Sequence, residues 1–367
     1  MRNKKGITLV ALVVTIIIML ILAGVSISAL TNTGIFEKVQ DAKQKSEEAE
    51  KEQNKILSEY ETALDQYDEN TLVYKVNNGE IKIGDYISYT PDTVTKENEK
   101  YKTLISNLVT YSGTNENTES TLTQETDMKW RVLDVKDGQV RLISEKPTES
   151  TITLYGYNGY NNAVKLLDDT CNTLYNNSKL ANKVQNLKIE DITIHMETQP
   201  TEDTAEISLE SINYPKILEQ EENQIVENSI IGNKLKLSEQ NKFITGKDMT
   251  TISTLKNTYW WKSMSIEDFN KENKEMYYKL FINDNKNNYE TYWMSSRCTR
   301  IIDKNINFRI RCVSTGIIGA DYTSISNDEE CKRTCSFRPV ITLNSNVQLD
   351  TINSGDGSTS ENEYAIK

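Results

Sequence analysis

Histidine is almost absent from this 367-residue chain, and His195 is its only copy. Most Cys–His and Ser–His catalytic arrangements need an imidazole base, so they are excluded unless His195 itself serves. It sits in the short apolar run Ile192-Thr193-Ile194-His195-Met196, where a hydrogen-bonded structural histidine is the expectation. Proline is scarce, at 5 residues, and the 15 glycines form neither a phosphate-binding loop nor a dinucleotide pattern. HExxH pairs and EF-hand loops are missing as well, so no motif announces an enzyme and no cofactor is expected. Basic residues, 42 against 54 acidic ones, leave a net charge of -12. Such a field repels phosphate backbones and argues against nucleic acid as a partner.

Charge is also missing from one long stretch, because nothing ionisable lies between Lys5 and Glu37. The apolar run Ile7 to Leu30 has about the length that crosses a hydrocarbon core as a helix. Arg2, Lys4 and Lys5 precede it, and the positive-inside rule then keeps the N-terminus cytoplasmic and sends the C-terminal domain outside. A single-pass cell-membrane protein, embedded through residues 7–30, is the expectation. The segment Lys4-Lys5-Gly6-Ile7-Thr8-Leu9 resembles the processing site of type IV prepilins. The resemblance implies a leader of residues 1–6, cleavage after Gly6 by a prepilin peptidase, N-methylation of Ile7, and other pilin subunits as possible partners. Ala11 stands where that family usually carries a glutamate. That glutamate compensates a neighbouring subunit's amine in the filament, so its loss bears on entry as a major subunit.

Beyond the apolar run, residues 31–70 read as a helical stalk, with small or apolar residues at Ile35, Val39, Ala42, Ser46, Ala49, Ile56, Tyr60, Ala63 and Tyr67. Residues 71–126 read as a β-hairpin, Leu72–Val76 with Ile81–Tyr89 about Asn77-Asn78-Gly79, followed by a polar loop. A second hairpin is expected over Trp130–Val135 and Gln139–Ser144. A helix around Asn161–Leu180 buries Val164, Leu167, Cys171, Leu174 and Tyr175 on one face. An acidic insertion spans Met196 to Asn223, strands return at Tyr292–Arg297, Phe308–Val313 and Arg338–Leu343, and residues 351–367 read as a disordered tail. Tyr259, Trp260 and Trp261 are dense enough in aromatic surface to belong to a core, with stacking on a sugar or a partner as the rival use.

Four of the five cysteines, Cys298, Cys312, Cys331 and Cys335, crowd into the last quarter of the chain. This points to disulfides in an oxidising compartment, with three connectivities open, whereas metal is not expected because paired CxxC arms are missing. Gly156-Tyr157-Asn158-Gly159-Tyr160-Asn161-Asn162, Tyr292–Arg297 and Phe337–Leu343 resemble pieces of the C-type-lectin-like fold that includes formylglycine-generating enzymes. The resemblance implies an α+β architecture: a long N-terminal transmembrane and stalk helix, then a mixed, strand-rich head over residues 127–350. That family's copper-binding cysteine pair falls near Cys331 and Cys335, but the surrounding active-site pattern is not reproduced. The functional expectation is a pilin-like surface protein with a noncatalytic display or adhesion head for an unknown ligand. The alternative is a minor or tip pilin, or a pseudopilin, built into a type IV pilus or type II secretion-like filament.

Overall fold

The structure is a computed structural model and describes residues 35–65, 67–197, 206–208, 254–282, 291–302, 305–314, 316–325 and 331–367. The chain divides into two compact units at Leu64 and Asp65. The first contains helix α1 (Ile35–Asp65), whose sequence mixes acidic with basic residues. Pairs such as Lys43–Glu47 and Lys55–Glu59, each at 3.9 Å and one helical turn apart, add only a few tenths of a kcal/mol each. Ile56, Leu57, Tyr60 and Leu64 lie exposed on α1.

The second unit opens with helix α2 (Leu72–Asn77), capped by the Thr71 side chain, which accepts from the amide of Tyr74. Strand β1 (Tyr86–Ser88) and helix α3 (Glu99–Tyr111), capped by Asn98, follow. Next come β2 (Trp130–Lys136), β3 (Gln139–Ser144), β4 (Thr151–Tyr155), helix α4 (Gly156–Tyr175), β5 (Ala181–Asn186) and helix α5 (Ile189–Thr193). Strands β6 (Glu206–Ser208) and β7 (Thr254–Lys256) pair with each other. The remainder is β8 (Lys262–Ser263), helix α6 (Lys274–Ile282), β9 (Tyr292–Ile302), β10 (Asn305–Ser314), β11 (Ile317–Ile325), β12 (Lys332–Phe337), β13 (Pro339–Leu343) and β14 (Tyr364–Ala365).

Two six-stranded sheets organise this unit, ordered β14-β1-β2-β3-β13-β5 and β4-β12-β9-β10-β11-β8. The β2–β3 hairpin closes through Asp137 and Gly138 at φ 51 and 73, the left-handed pair that a two-residue turn matched to strand twist requires. Its neighbour β13 arrives directly from the other sheet, because Arg338 is the single residue between β12 and β13. That corner is fully buried: Arg338 Nε and Nη2 donate to Ser144 O, Nη2 also donates to Glu145 O, and the guanidinium lies over Tyr292. Asn186 ties the same corner, accepting from Arg338 N at 2.8 Å and donating to Trp293 O at 3.0 Å. Ala163, Leu166, Leu167, Cys171, Leu174 and Tyr175 of α4 are completely buried in a cluster with Trp130, Trp293, Phe308 and Phe337. Each such side chain contributes roughly 1.5–3 kcal/mol over its exposed state, so this cluster dominates the unit's stability.

Several expectations are corrected. The leader 1–6, the apolar run 7–30 and Ala11 lie outside the described residues. Among the described residues no helix is long and apolar enough to cross a membrane, so the expected transmembrane helix and single-pass location find no support there. The architecture is a mixed α/β fold of two large sheets with six α-helices among the described residues, in place of a transmembrane and stalk helix carrying a C-type-lectin-like head. Residues 71–126 and 127–350 belong to one unit. The first expected hairpin is absent because Thr71 and Asn78 cap Leu72–Asn77 as a helix, leaving only Tyr86–Ser88 as strand. Helix α3, which buries Tyr101, Leu104 and Leu108, lies ahead of the polar stretch from about Thr110 to Thr126, and beyond Tyr111 that stretch holds no helix or strand, as a loop should. The tail is ordered: β14 pairs in parallel with β1, Ile87 opposite Tyr364. Most of the acidic insertion lies outside the described residues.

The disulfides are corrected too, since all five cysteines are free. Strand register explains why. Cys298 lies opposite Arg309, Cys312 opposite Trp293 and Gly319, and Cys335 opposite Ile152, so none of these positions faces another cysteine across a ladder. Cys312 and Cys335 instead pack as small apolar groups in the main core, and burial pushes the Cys312 thiol up to about 12.

Candidate functional site

Two polar constellations stand out in the head, and their chemistry differs. The first gathers around Arg141 on β3. Its guanidinium grips Asp134 of β2 with two hydrogen bonds, Nε to Oδ1 at 2.6 Å and Nη2 to Oδ2 at 2.5 Å, and Nη1 reaches Asp191 of α5. The register that sets Asp134 opposite Arg141 places the fork. His195 completes the group, its Nε2 facing Asp134 Oδ2 at 2.9 Å while its ring stacks on Tyr277 of α6, 4.0 Å between centroids. Burial alone would raise the Asp134 carboxyl, but the bonds from His195 and Arg141 and their charge outweigh it, and the pKa falls below the usual value. Both Arg141 and Asp191 are almost fully buried. These charges satisfy one another, so the cluster pins β2, β3, α5 and α6 together.

The second constellation is a strap across the second sheet. Among the described strands, the half of β9 from Cys298 to Ile302 pairs only with β10, because β12 meets β9 at Tyr292 and Trp293. Residues Asn257–Tyr259 fill the open edge: Thr258 N and Tyr259 N both donate to Thr299 O at 2.9 Å, and Ile301 N donates to Asn257 Oδ1 at 2.9 Å. The chain then crosses to the opposite edge, where β8 pairs with β11, Ile318 opposite Lys262. Between these anchors the strap passes over a row of arginines from β9 and β10. Arg311 pins it, Nη1 donating to Trp260 O at 2.7 Å and Nη2 to Thr258 O at 2.5 Å, with the guanidinium 4.4 Å from the centre of a Trp260 ring. Arg300 and Arg309 each lie over the Tyr259 ring, 4.8 Å from its centroid.

Charge at the strap is poorly compensated. Among the described residues no carboxylate forms an ion pair with Arg300 or Arg311. Burial lowers the pKa of Arg309 and the neighbouring Arg300 cation adds to this, against the smaller opposing pull of Tyr259 and Asp321. Each cation–π contact contributes about 0.5–2 kcal/mol, so the ring faces hold the guanidiniums in place without neutralising them. Two residues along the strap from Tyr259, Trp261 is 64 % exposed, an unusual position for an indole, whereas Trp130 and Trp293 are at most 1 % exposed. The strap thus combines an accessible flat aromatic, fixed cations and a backbone anchored at both sheet edges. Such a surface can stack on a ligand and attract negative charge.

The residues singled out from the sequence fall differently. Lys4, Lys5, Gly6, Ile7 and Thr8 lie outside the described residues. His195 belongs to the Arg141 cluster. Cys298, Cys312 and Cys335 are buried, and half-buried Cys331 donates its amide to Thr323 O at 2.8 Å. Tyr259 and Trp260 are partly covered and only Trp261 is open, so the aromatic trio is split between packing and display. The arginine row was the missed signal: Arg309 and Arg311 alternate in a segment already read as a strand, and Arg300 follows just beyond another. By architecture the head is a two-sheet α/β domain with a strapped cationic face. Comparison with protein-family models, with curated proteins and with solved structures finds no match for the chain.

Proposed function

We propose that this chain is a pilin-like protein with a noncatalytic recognition head, and that the head meets its ligand through the Tyr259–Trp261 strap. The observation that carries the reading is the exposed Trp261 indole on the strap that Arg300 and Arg311 hold, two guanidiniums with which no carboxylate forms an ion pair among the described residues. Aromatic and arginine side chains supply a large share of the energy at recognition surfaces, because they bury wide rigid area with little loss of freedom. The catalytic alternative lacks comparable support, since the Arg141 cluster spends its polar atoms internally. The pilin-like part rests on Lys4-Lys5-Gly6-Ile7, with a prepilin peptidase cutting after Gly6.

Two measurements test this. Intact mass and N-terminal mapping of the native chain should give a start at methylated Ile7, and a start at Met1 would remove the pilin-like part. Beads coated with the full chain should adhere to polysaccharide-coated or protein-coated surfaces and lose that adherence with Trp261→Ala. Adherence unchanged by that substitution on every surface would remove the strap as the recognition site. A second reading, a structural component of a pilus or secretion-like filament, draws on the exposed Ile56, Leu57, Tyr60 and Leu64 of α1. It predicts concentration-dependent association that Tyr60→Glu abolishes.

A further inference from the structure

We infer that the strap takes a carboxylate-bearing carbohydrate, an inference that rests on the recognition role proposed for the same site. Three features narrow the ligand. Trp261 offers one flat, open indole, and the C–H face of a pyranose ring is the complementary shape and polarity for a π surface. Arg300 supplies a cation that lies over the Tyr259 ring and, among the described residues, forms no ion pair with a carboxylate, so its planar fork of N–H donors suits a carboxylate of the ligand. Its neighbour Arg311, nine-tenths buried and more, keeps Nε without a hydrogen-bond partner while its other nitrogens hold the strap.

The rival ligands fit less well. An acidic peptide bound in extended form needs a free sheet edge, and both edges beside the strap are occupied, one by Asn257–Tyr259 and the other by β8. A long polyanion such as nucleic acid would gain from the arginine row but meet the field of a chain carrying a net charge of -12. A sugar with one carboxylate per residue draws on the local cations while keeping most of its surface neutral. The strap is held by hydrogen bonds at both ends, so little ordering is required when a ligand arrives.

The test uses the full chain and its tryptophan emission, to which the exposed Trp261 contributes the environment-sensitive part. The probes are a galacturonic acid oligomer, the matching neutral galactose oligomer and a glutamate homopeptide. The galacturonate oligomer should shift the emission to shorter wavelength and bind at least about tenfold tighter than the neutral one, the scale of one charge-assisted hydrogen bond. Trp261→Ala should abolish both the shift and the binding, and Arg300→Gln should erase the preference for the acidic oligomer. Equal affinity for the two oligomers, preference for the glutamate peptide, or no response to any probe would overturn the carboxylate-sugar assignment. If bead adherence still depended on Trp261 in those cases, the recognition role would stand with a different ligand.

Discussion

Replacing Arg141 by Met removes one charge from the middle of a buried group and leaves two others behind. Arg141 is 3 % exposed, Asp134 6 % and Asp191 2 %, so neither carboxylate can turn to water. His195 still faces Asp134, and Asp191 keeps the Lys188 backbone amide at 2.9 Å and the attraction of the Lys188 cation, but both carboxylates lose the guanidinium between them. Breaking a buried pair by deleting one partner typically costs about 3–5 kcal/mol, because the survivor is an uncompensated charge in a poorly polarisable setting. We expect a loss in that range at pH 7 in urea unfolding followed by near-ultraviolet circular dichroism. The pH dependence carries the sharper test. In the parent protein Asp134 has a depressed pKa, so its stabilisation is present above the unfolded value of about 3.9 and fades as pH falls through the folded value. In Arg141→Met the Asp134 carboxyl keeps His195 but loses the bonds and charge of Arg141 and titrates higher than in the parent, so the variant gains less stability as pH rises through that range. The difference between the two proteins must therefore widen from pH 4 to pH 7. Adding Asp134→Asn and Asp191→Asn to the variant should recover part of the loss. A difference below about 1 kcal/mol, or one independent of pH, would refute the picture of a self-neutralising buried cluster.

Thiol labelling without reductant should modify Cys331 alone in the native protein and all five cysteines in denaturant, whereas fewer than five in denaturant would restore disulfides. Gly113→Ala should cost more than about 1 kcal/mol in the same urea assay, because φ is 84° there and an added Cβ would lie 2.0 Å from Tyr155 O; a neutral result would refute that close approach. Deleting residues 351–367 should destabilise the head and expose β1 to protease, since β14 covers its edge; a truncated chain as stable as the parent would return the tail to disorder.

Legibility in the sequence followed the range of the interaction. The β2–β3 hairpin could be read because Asp137-Gly138 is a local device flanked by alternating residues. The face of α4 was readable for the same reason, its buried residues recurring at helical spacing. Leu72–Asn77 misled because six residues show too little periodicity to separate strand from helix, and the caps at Thr71 and Asn78 decided the matter. The tail looked disordered because Ser, Gly and Asn carry little apolar surface, yet its order comes from β1, far away in sequence. At the strap, composition identified the aromatics but not which one is open. That depends on where the chain crosses the sheet and on the two carbonyls that Arg311 holds. The cysteines were read by clustering in sequence, while the register of three separate ladders set their partners.

The parallel pairing of β14 with β1 also has a consequence in time. A ribosome releases the chain from one end, and β1 emerges long before residues 364 and 365. Throughout that interval the first sheet has an unclaimed margin beside β1, and the bridge between Thr71 and Gln348 is likewise open. Contacts so distant along the chain form late and slowly. The head therefore spends its synthesis as an unfinished sheet, and whatever shields that margin during elongation governs how much of the protein reaches the closed form.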